Sequence, residues 1–320
     1  MSSASRVLVT GGAGFIGSHL TEALVGQGSE VIVLDNLASG NEANLAAVTG
    51  NLRFIRGDIR DRAVLEEATA GCDTVFHLAA VVSVPLTTRD PLGSAAVNET
   101  GSLQVLEASR SAGVRRVVFA SSSAVYGDDP VLPKREDMAP KPLTPYAVQK
   151  LAVEYHQKVY TTLFGVEGVS LRFFNVYGPR QDPNSPYSGV ISIFMNRALS
   201  GIPPVIYGDG RQTRDFVFVG DVVQALISAG SSASAPGRVF NVGTGRSVSI
   251  NDLWRTIAGI AGSASRPGYG PPRPGDVPHS LSSIESARAH LSFAPGVDLE
   301  TGLARTLEWY RRCAGASNKE

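Results

Sequence analysis

Cysteine is scarce in this chain: Cys72 and Cys313 are the two in 320 residues. That excludes a disulfide framework, and their separation excludes a metal-binding spacing, so no metal is expected. Net charge is missing as well, with 29 Lys and Arg against 29 Asp and Glu. The balance removes any general attraction to nucleic acid or an anionic membrane and leaves only a local basic pocket open. No apolar run approaches the ~20 residues that span a bilayer, and the first residues lack the basic region and apolar segment of a secretory signal. A reducing cytoplasm is therefore the expected location. Internal repeats, low-complexity tracts and separable linkers are absent too. What remains is 43% hydrophobic and 18% charged, the balance of an ordinary soluble globular protein. The chain is long enough for one large α/β unit or two lobes.

Glycine, by contrast, is plentiful, and near the N-terminus it falls in a pattern. Val7-Leu8-Val9 is apolar and β-branched and reads as a buried strand. Gly11, Gly14 and Gly17 follow at three-residue spacing, and residues 18–25 can run as a helix. Strand, glycine turn and helix N-terminus make an anion site, because free backbone N–H groups and the positive helix end converge on one spot. A side chain at these glycines would block the turn, the approach of a pyrophosphate, or the packing of helix on strand. With 34 glycines in the chain such a pattern arises easily by chance, so context decides. A second strand, Glu30-Val31-Ile32-Val33-Leu34, ends at Asp35, eighteen residues past Gly17. A carboxylate there can take the adenosine ribose hydroxyls. Asn36 follows, with no arginine beside it to receive a 2′-phosphate, which favours NAD over NADP. The alternative is a tight strand-to-helix turn that binds nothing.

Further along, Asn36-Leu37-Ala38-Ser39-Gly40-Asn41 is a polar loop able to wrap the adenosine end of a cofactor. Leu52-Arg53-Phe54-Ile55 reads as a third strand. Beyond it, Asp58 can accept from an adenine amino group or cap a helix over residues 62–70. Residues 73–80 read as a fourth strand with small residues at its C-terminal end, where ligands sit in open parallel sheets. His77 within it reads as a core histidine rather than an acid or base. A helix over 93–112 carries Asn98, and a fifth strand over 115–120 runs into Ser121-Ser122-Ser123. Serines at a strand end are, alone, ordinary turn residues. After a proline-rich loop, Pro145 suits a first helical position, and Tyr146 and Lys150 form an i,i+4 pair on one helix face. A free tyrosine has a pKa near 10 and must fall by roughly three units to act as a base at neutral pH. A nearby ammonium and the positive nicotinamide of NAD can supply much of that. The bland alternative is an exposed Tyr–Lys pair on a surface helix.

Taken together, the Gly11/Gly14/Gly17 turn, Asp35, Asp58, the triple serine and Tyr146-x-x-x-Lys150 resemble the extended short-chain dehydrogenase/reductase family over nearly the whole chain. Within it the sequence is most similar to the UDP-sugar 4-epimerases. That resemblance implies Tyr146 as base, Lys150 on the nicotinamide ribose, and Ser122 or its neighbour Ser123 on the sugar 4-oxygen. The cofactor set it implies is Gly11, Gly14, Phe15, Ile16, Gly17, Asp35, Asn36, Ser39, Gly40, Asp58, Ile59, Leu78, Ala79, Ala80 and Asn98, with Tyr146, Lys150 and Phe173. On the substrate side it implies Asn175, Arg214 and Arg273 on a diphosphate and Asp276 on the uridine ribose. Residues 187–191 would line the uracil pocket, and Arg211 is expected in solvent. Nucleotide-sugar 4,6-dehydratases carry Thr-Asp-Glu before Val-Tyr-Gly; this chain has Ser122-Ser123-Ala124 there, so both acidic groups for dehydration are missing.

The expected architecture is α/β: a doubly wound parallel sheet binding NAD over residues 1–175, and a smaller UDP-sugar lobe, mainly 176–320, interleaved with returns to the sheet. The expected reaction inverts C4 of a UDP-hexose through a transient 4-keto sugar, with a homodimer as the assembly. A net reductase or decarboxylase on the same fold is the first rival reading. The second is a non-catalytic NAD-binding regulator, which would not need Ser122, Tyr146 and Lys150 together. Ser280 stands where resembling epimerases restricted to unacetylated sugars carry a tyrosine, so UDP-GlcNAc and UDP-GalNAc are expected substrates beside UDP-glucose and UDP-galactose.

Overall fold

The structure, a computed structural model, describes residues 5–182, 189–272 and 277–317. β1 (Arg6–Thr10) leads through the glycine turn into α1 (Phe15–Gly26), then β2 (Glu30–Asp35) and β3 (Leu52–Arg56). α2 (Arg62–Thr69) returns to β4 (Thr74–His77), and α3 (Val84–Arg89) and α4 (Pro91–Ala95) follow. A π-helical segment (Ala96–Gly101) continues into α5 (Ser102–Ser111) and β5 (Arg116–Ser122). Next come α6 (Pro145–Phe164), β6 (Glu167–Phe173), β7 (Asn175–Tyr177) and α7 (Val190–Leu199). The short strands β8 (Val205–Tyr207), β9 (Thr213–Arg214) and β10 (Phe216–Phe218) lead to α8 (Val219–Ser231) and β11 (Val239–Val242). β12 (Val248–Ser249), α9 (Ile250–Ala261), β13 (Gly268–Gly270), α10 (Glu285–Leu291) and α11 (Leu299–Ser317) complete the described chain.

Seven parallel strands form the central sheet in the order β11-β6-β5-β4-β1-β2-β3. The strands are near-continuous apolar runs because helices cover both faces. On one face Val7, Val9, Val31 and Val33 pack against Leu20 and Leu24 of α1 and Val222 and Leu226 of α8. On the other, Leu8, Ile32, Leu34 and Val117 meet Leu65 of α2, Leu106 of α5 and Tyr160 of α6. The order reverses between β1 and β4, and that reversal opens the crevice in which such sheets bind ligands. A separate cluster joins Phe194 and Met195 of α7, Trp254 of α9 and Leu307 of α11; Phe15 and Ile16 of α1 pack against it. No described helix is long and apolar enough to cross a membrane.

Two local readings need correction. The helix expected over 93–112 is three pieces, with a π-helical segment holding Asn98 between α4 and α5. An i→i+5 register does not alter the spacing of apolar side chains enough to show in the sequence, and such segments are frequent at functional sites. The cap of α2 is Asp61, whose carboxylate accepts from the backbone of Ala63 and Val64, rather than Asp58.

Candidate active site

The nucleotide end is built largely from backbone. Gly11 has φ +69°, where L side chains are strained, and a Cβ there would sit 2.8 Å from the amide nitrogen of Ala79. A Cβ at Gly17 would overlap the carbonyl oxygen of Gly11. α1 starts at Gly14 with no side chain capping it and no acidic residue in its first turn. The N–H end of α1, beginning at Phe15 and Ile16, is therefore left for an outside anion. Asp35 closes β2, accepting from Ala13 N at 3.0 Å and Leu37 N at 2.8 Å, and is buried. Gly40 lies directly over this carboxylate, since a Cβ there would come within 2.9 Å of both oxygens. Each carboxylate oxygen retains acceptor capacity for a hydroxyl. These features fit a dinucleotide.

Asp58 faces the same end, half-buried, with Asn36 Nδ2 donating to it at 2.9 Å. Arg60, which the sequence reading did not single out, grips it from Nε and Nη2 at 2.9 and 2.8 Å. The Arg60 side chain thereby holds the Asp58 carboxyl well below the usual range. Ile59 is buried and Ser39 exposed on the neighbouring loops. Leu78, Ala79 and Ala80 are half-buried where the chain leaves β4 beside Gly11.

Asn98, expected at the cofactor, makes three hydrogen bonds to protein groups. Its Oδ1 accepts from Val81 N, and its Nδ2 donates to Val81 O and to Gln149 Oε1, at 2.7 to 2.9 Å. These bonds fasten the loop after β4 to α6. His77 is a satisfied core histidine. Ser102 donates its hydroxyl to Asn98 O, so it accepts from His77 Nε2, and the Thr10 hydroxyl then serves Nδ1. Burial pushes the imidazole down to about 3, with the Lys150 charge adding to the effect.

α6 is set by its ends: Thr144 accepts from Ala147 N, Pro145 occupies the first turn, and Gly165 at φ 73° stops the helix. Lys150 is buried and donates to Ala120 O at 2.8 Å, with its Nζ 5.8 Å from the centre of the Tyr146 ring. Burial pushes Tyr146 up to about 12, with a hydrogen bond involving the Ser122 hydroxyl acting the other way. Burial also pulls Lys150 down to about 7, against the attraction of Glu154. Ser122 lies at the end of β5 in register with Phe173 at the end of β6. Its Oγ also accepts from Ala124 N at 3.2 Å. Ser123 begins the short 3-10 turn that follows. Of the two serines, Ser122 is the one whose hydroxyl acts to lower the Tyr146 pKa.

The residues expected on the substrate side lie in the second half of the chain. Asn175 on β7 pairs with Phe216 on β10 and turns its amide to Asp215 O at 3.2 Å. Arg214 ends β9, donating from Nη1 to Thr213 O and Pro278 O at 2.9 and 3.3 Å. Ser280 is stitched to the same strand by its N–H to Thr213 O at 3.1 Å. Arg211 is exposed. Arg273 and Asp276 lie outside the described residues, as do Tyr187 and Ser188.

Sequence reasoning missed Asp215. Fully buried, it accepts from Thr244 N and Oγ1, Gly245 N, and Ser282 N and Oγ at 2.5 to 3.1 Å. It therefore ties together the three stretches that carry Arg214, the turn after β11, and Ser280. Glu154 was missed too, although its spacing from Lys150 repeats that of Lys150 from Tyr146.

A doubly wound parallel sheet, a glycine cradle at its switch point and a Tyr-x-x-x-Lys helix beside it define an extended short-chain dehydrogenase/reductase. The pattern of the NAD dependent epimerase/dehydratase family matches residues 7–243, and the chain belongs to that family. A UDP-glucose 4-epimerase of Mycolicibacterium smegmatis is 43% identical over 312 residues, covering 96% of this chain and 98% of that protein. The crystal structure of a Thermotoga maritima UDP-glucose 4-epimerase with UDP-glucose superposes with a TM-score of 0.92 at 40% identity, covering 97% and 99% of the two chains. A UDP-N-acetylglucosamine 4-epimerase from Methanobrevibacter ruminantium M1, in complex with UDP-N-acetylmuramic acid, gives 0.93 at 41% identity over the same shares. NAD is the cofactor of this chain.

Proposed function

We propose that the protein interconverts the C4 epimers of UDP-hexoses. Residues 1–175 carry the NAD contacts, and 176–320, apart from the return of β11 to the sheet, carry most of those to the UDP-sugar. The observation that carries this reading is the grouping of Ser122, Tyr146 and Lys150 at the C-terminal ends of β5 and β6, with Phe173 on the adjoining rung. Ser122 orients the sugar 4-hydroxyl, and Tyr146 takes its proton and later returns it. Bound NAD supplies the hydride acceptor and, in its oxidised form, a positive charge. In the protein alone the phenol keeps its proton, since burial holds it near 12. A cation beside a phenol lowers its pKa, so Tyr146 becomes a base only in the loaded protein, with the Lys150 ammonium on the same helix face. Arg214 and Asn175, with Arg273, hold the diphosphate by charge-assisted bonds. The sugar, held less firmly, would turn its other face to the site before Tyr146 returns the proton.

Ser280 leaves room beside the C2 substituent, so acetylated and unacetylated UDP-hexoses are both accepted. Two copies associate through α6, where Val148, Tyr155, Val159 and Leu163 stand exposed; analytical ultracentrifugation reads that directly. Cys72 and Cys313, neither of them in a disulfide, suit a reducing, cytoplasmic location. The decisive experiment incubates the purified protein with UDP-glucose, UDP-galactose, UDP-GlcNAc and UDP-GalNAc and separates the products. C4 epimers should form with no added cofactor. Net accumulation of free NADH would instead show a dehydrogenase.

A further inference from the structure

Tyr146, Lys150 and Glu154 follow one another at four-residue intervals along α6, so one helix face presents a phenol, an ammonium and a carboxylate. Lys150 is 3% exposed, its Nζ on Ala120 O and 4.7 Å from the centre of the Phe119 ring. The titratable groups facing it are His77 from β4, neutral in the fold, and Tyr146 and Glu154 from its own helix. Among these Glu154 is the anion. Its carboxylate is fixed from two strands: Ser121 Oγ of β5 donates at 2.5 Å, and Arg172 of β6 donates from Nε and Nη2 at 2.9 and 2.7 Å. Ser121 immediately precedes Ser122, so the same carboxylate also holds the strand end that carries Ser122.

We propose that Glu154 is a positioning residue for the reaction: its carboxylate, anchored by Ser121 and Arg172, keeps the Lys150 ammonium charged beneath Tyr146 and binds the end of β5 to the same helix. The inference rests on the roles given above to Tyr146 and Lys150. Burial draws the amine down to about 7 and Glu154 acts against it. The lysine charge is thus present below about 7 and lost as pH rises through that value. Removing the carboxylate moves the loss to lower pH. A strap that merely joined α6 to β6 would affect folding and leave the titration of Lys150 where it is.

Lysines labelled with 13C at Cε are titrated by NMR in the cofactor-stripped protein, with the Lys150 signal assigned by its absence in Lys150→Met. Two variants are compared with the wild type. Glu154→Gln keeps the side-chain shape. Glu154→Met/Arg172→Met removes both charges and leaves neither orphaned in the interior, a replacement that buried ion pairs commonly tolerate. A thermal melt establishes that each is folded. The expected result is a Lys150 midpoint lower by about one pH unit or more in both variants, the shift an adjacent opposite charge produces. The alkaline limb of kcat on UDP-glucose should move with it, with KM little changed. An unmoved midpoint in a folded variant overturns the proposal. The titration needs no substrate, so absence of epimerase turnover in the wild type would sink the proposed function alone. A static midpoint in an active enzyme would sink this inference alone.

Discussion

Glu154 and Asp215 are both buried carboxylates beside the candidate site, and the protein neutralises them differently. Glu154 meets a guanidinium and one hydroxyl. Asp215 receives its hydrogen bonds from three backbone N–H groups and two hydroxyls. The difference matters because a side-chain partner can be removed along with the carboxylate, whereas a backbone N–H remains whatever the sequence. Glu154 is therefore an electrostatic device whose charge can be varied. Asp215 is an architectural one that its surroundings do not let go. His77 shows a third solution, a titratable group kept neutral in the core.

The sharpest test of this contrast is Asp215→Ala. It would strand the N–H groups of Thr244 and Ser282 in the interior, at about 1–3 kcal/mol each where water does not reach them, and leave Gly245 N–H only its longer bond to Ser282 Oγ at 3.3 Å. We expect a loss of at least ~3 kcal/mol in urea unfolding, larger than for Glu154→Met/Arg172→Met. A loss under about 1 kcal/mol would erase the distinction between the two carboxylates. Next in size, Tyr146→Phe should lower turnover at least ~100-fold, the lower end of general acid–base catalysis, with bound NAD unchanged by absorbance. Retained turnover per loaded enzyme would remove the proton-transfer role on which the Glu154 side depends.

His77 predicts a pH effect of moderate size. The unfolded chain protonates this residue below about 6.5, whereas the native imidazole resists until about 3. Between those values the unfolded state binds more protons, so stability falls as pH drops, by about 1.4 kcal/mol per unit for one proton. Urea melts of wild type and His77→Gln between pH 6 and 4 should differ in slope by up to that amount. Equal slopes would show that the histidine titrates in the native core. Smallest is Ser280→Tyr, expected to depress kcat/KM on UDP-GlcNAc about tenfold relative to UDP-glucose, the order a filled pocket produces. Equal depression of both sugars would dissociate Ser280 from the C2 substituent.

Much of the nucleotide end was legible in sequence because it rests on local rules. Val7-Leu8-Val9 is a buried strand by composition, Gly11 and Gly17 sit where a Cβ has no room, and Asp35 closes the next strand. The start of α6 was legible for the same reason, Pro145 standing directly before Tyr146, whereas its Thr144 cap showed only in the fold. What stayed hidden depends on distant contacts. Arg172 reaches Glu154 on α6 from the strand β6, and Ser282 reaches Asp215 from 67 residues further along the chain. Asn98 belongs to the same group: its partners, Val81 and Gln149, come together only once α6 docks. Asp58 and Asp61, three residues apart, were confused because either can cap a helix, and only backbone geometry chooses.

The position of β11 bears on how the protein is made. It pairs with β6 and forms one margin of the sheet, yet its residues leave the ribosome long after β6 has emerged. At ~5–20 residues per second the delay is on the order of several seconds, during which Val169 and Leu171 lie on a strand with one side unpaired. A bare edge of that kind recruits other chains. A nascent chain halted at residue 175 would contain the whole nucleotide cradle and Tyr146, but it would be sticky rather than functional. The late strand thus makes full-length synthesis a condition for a quiet sheet edge.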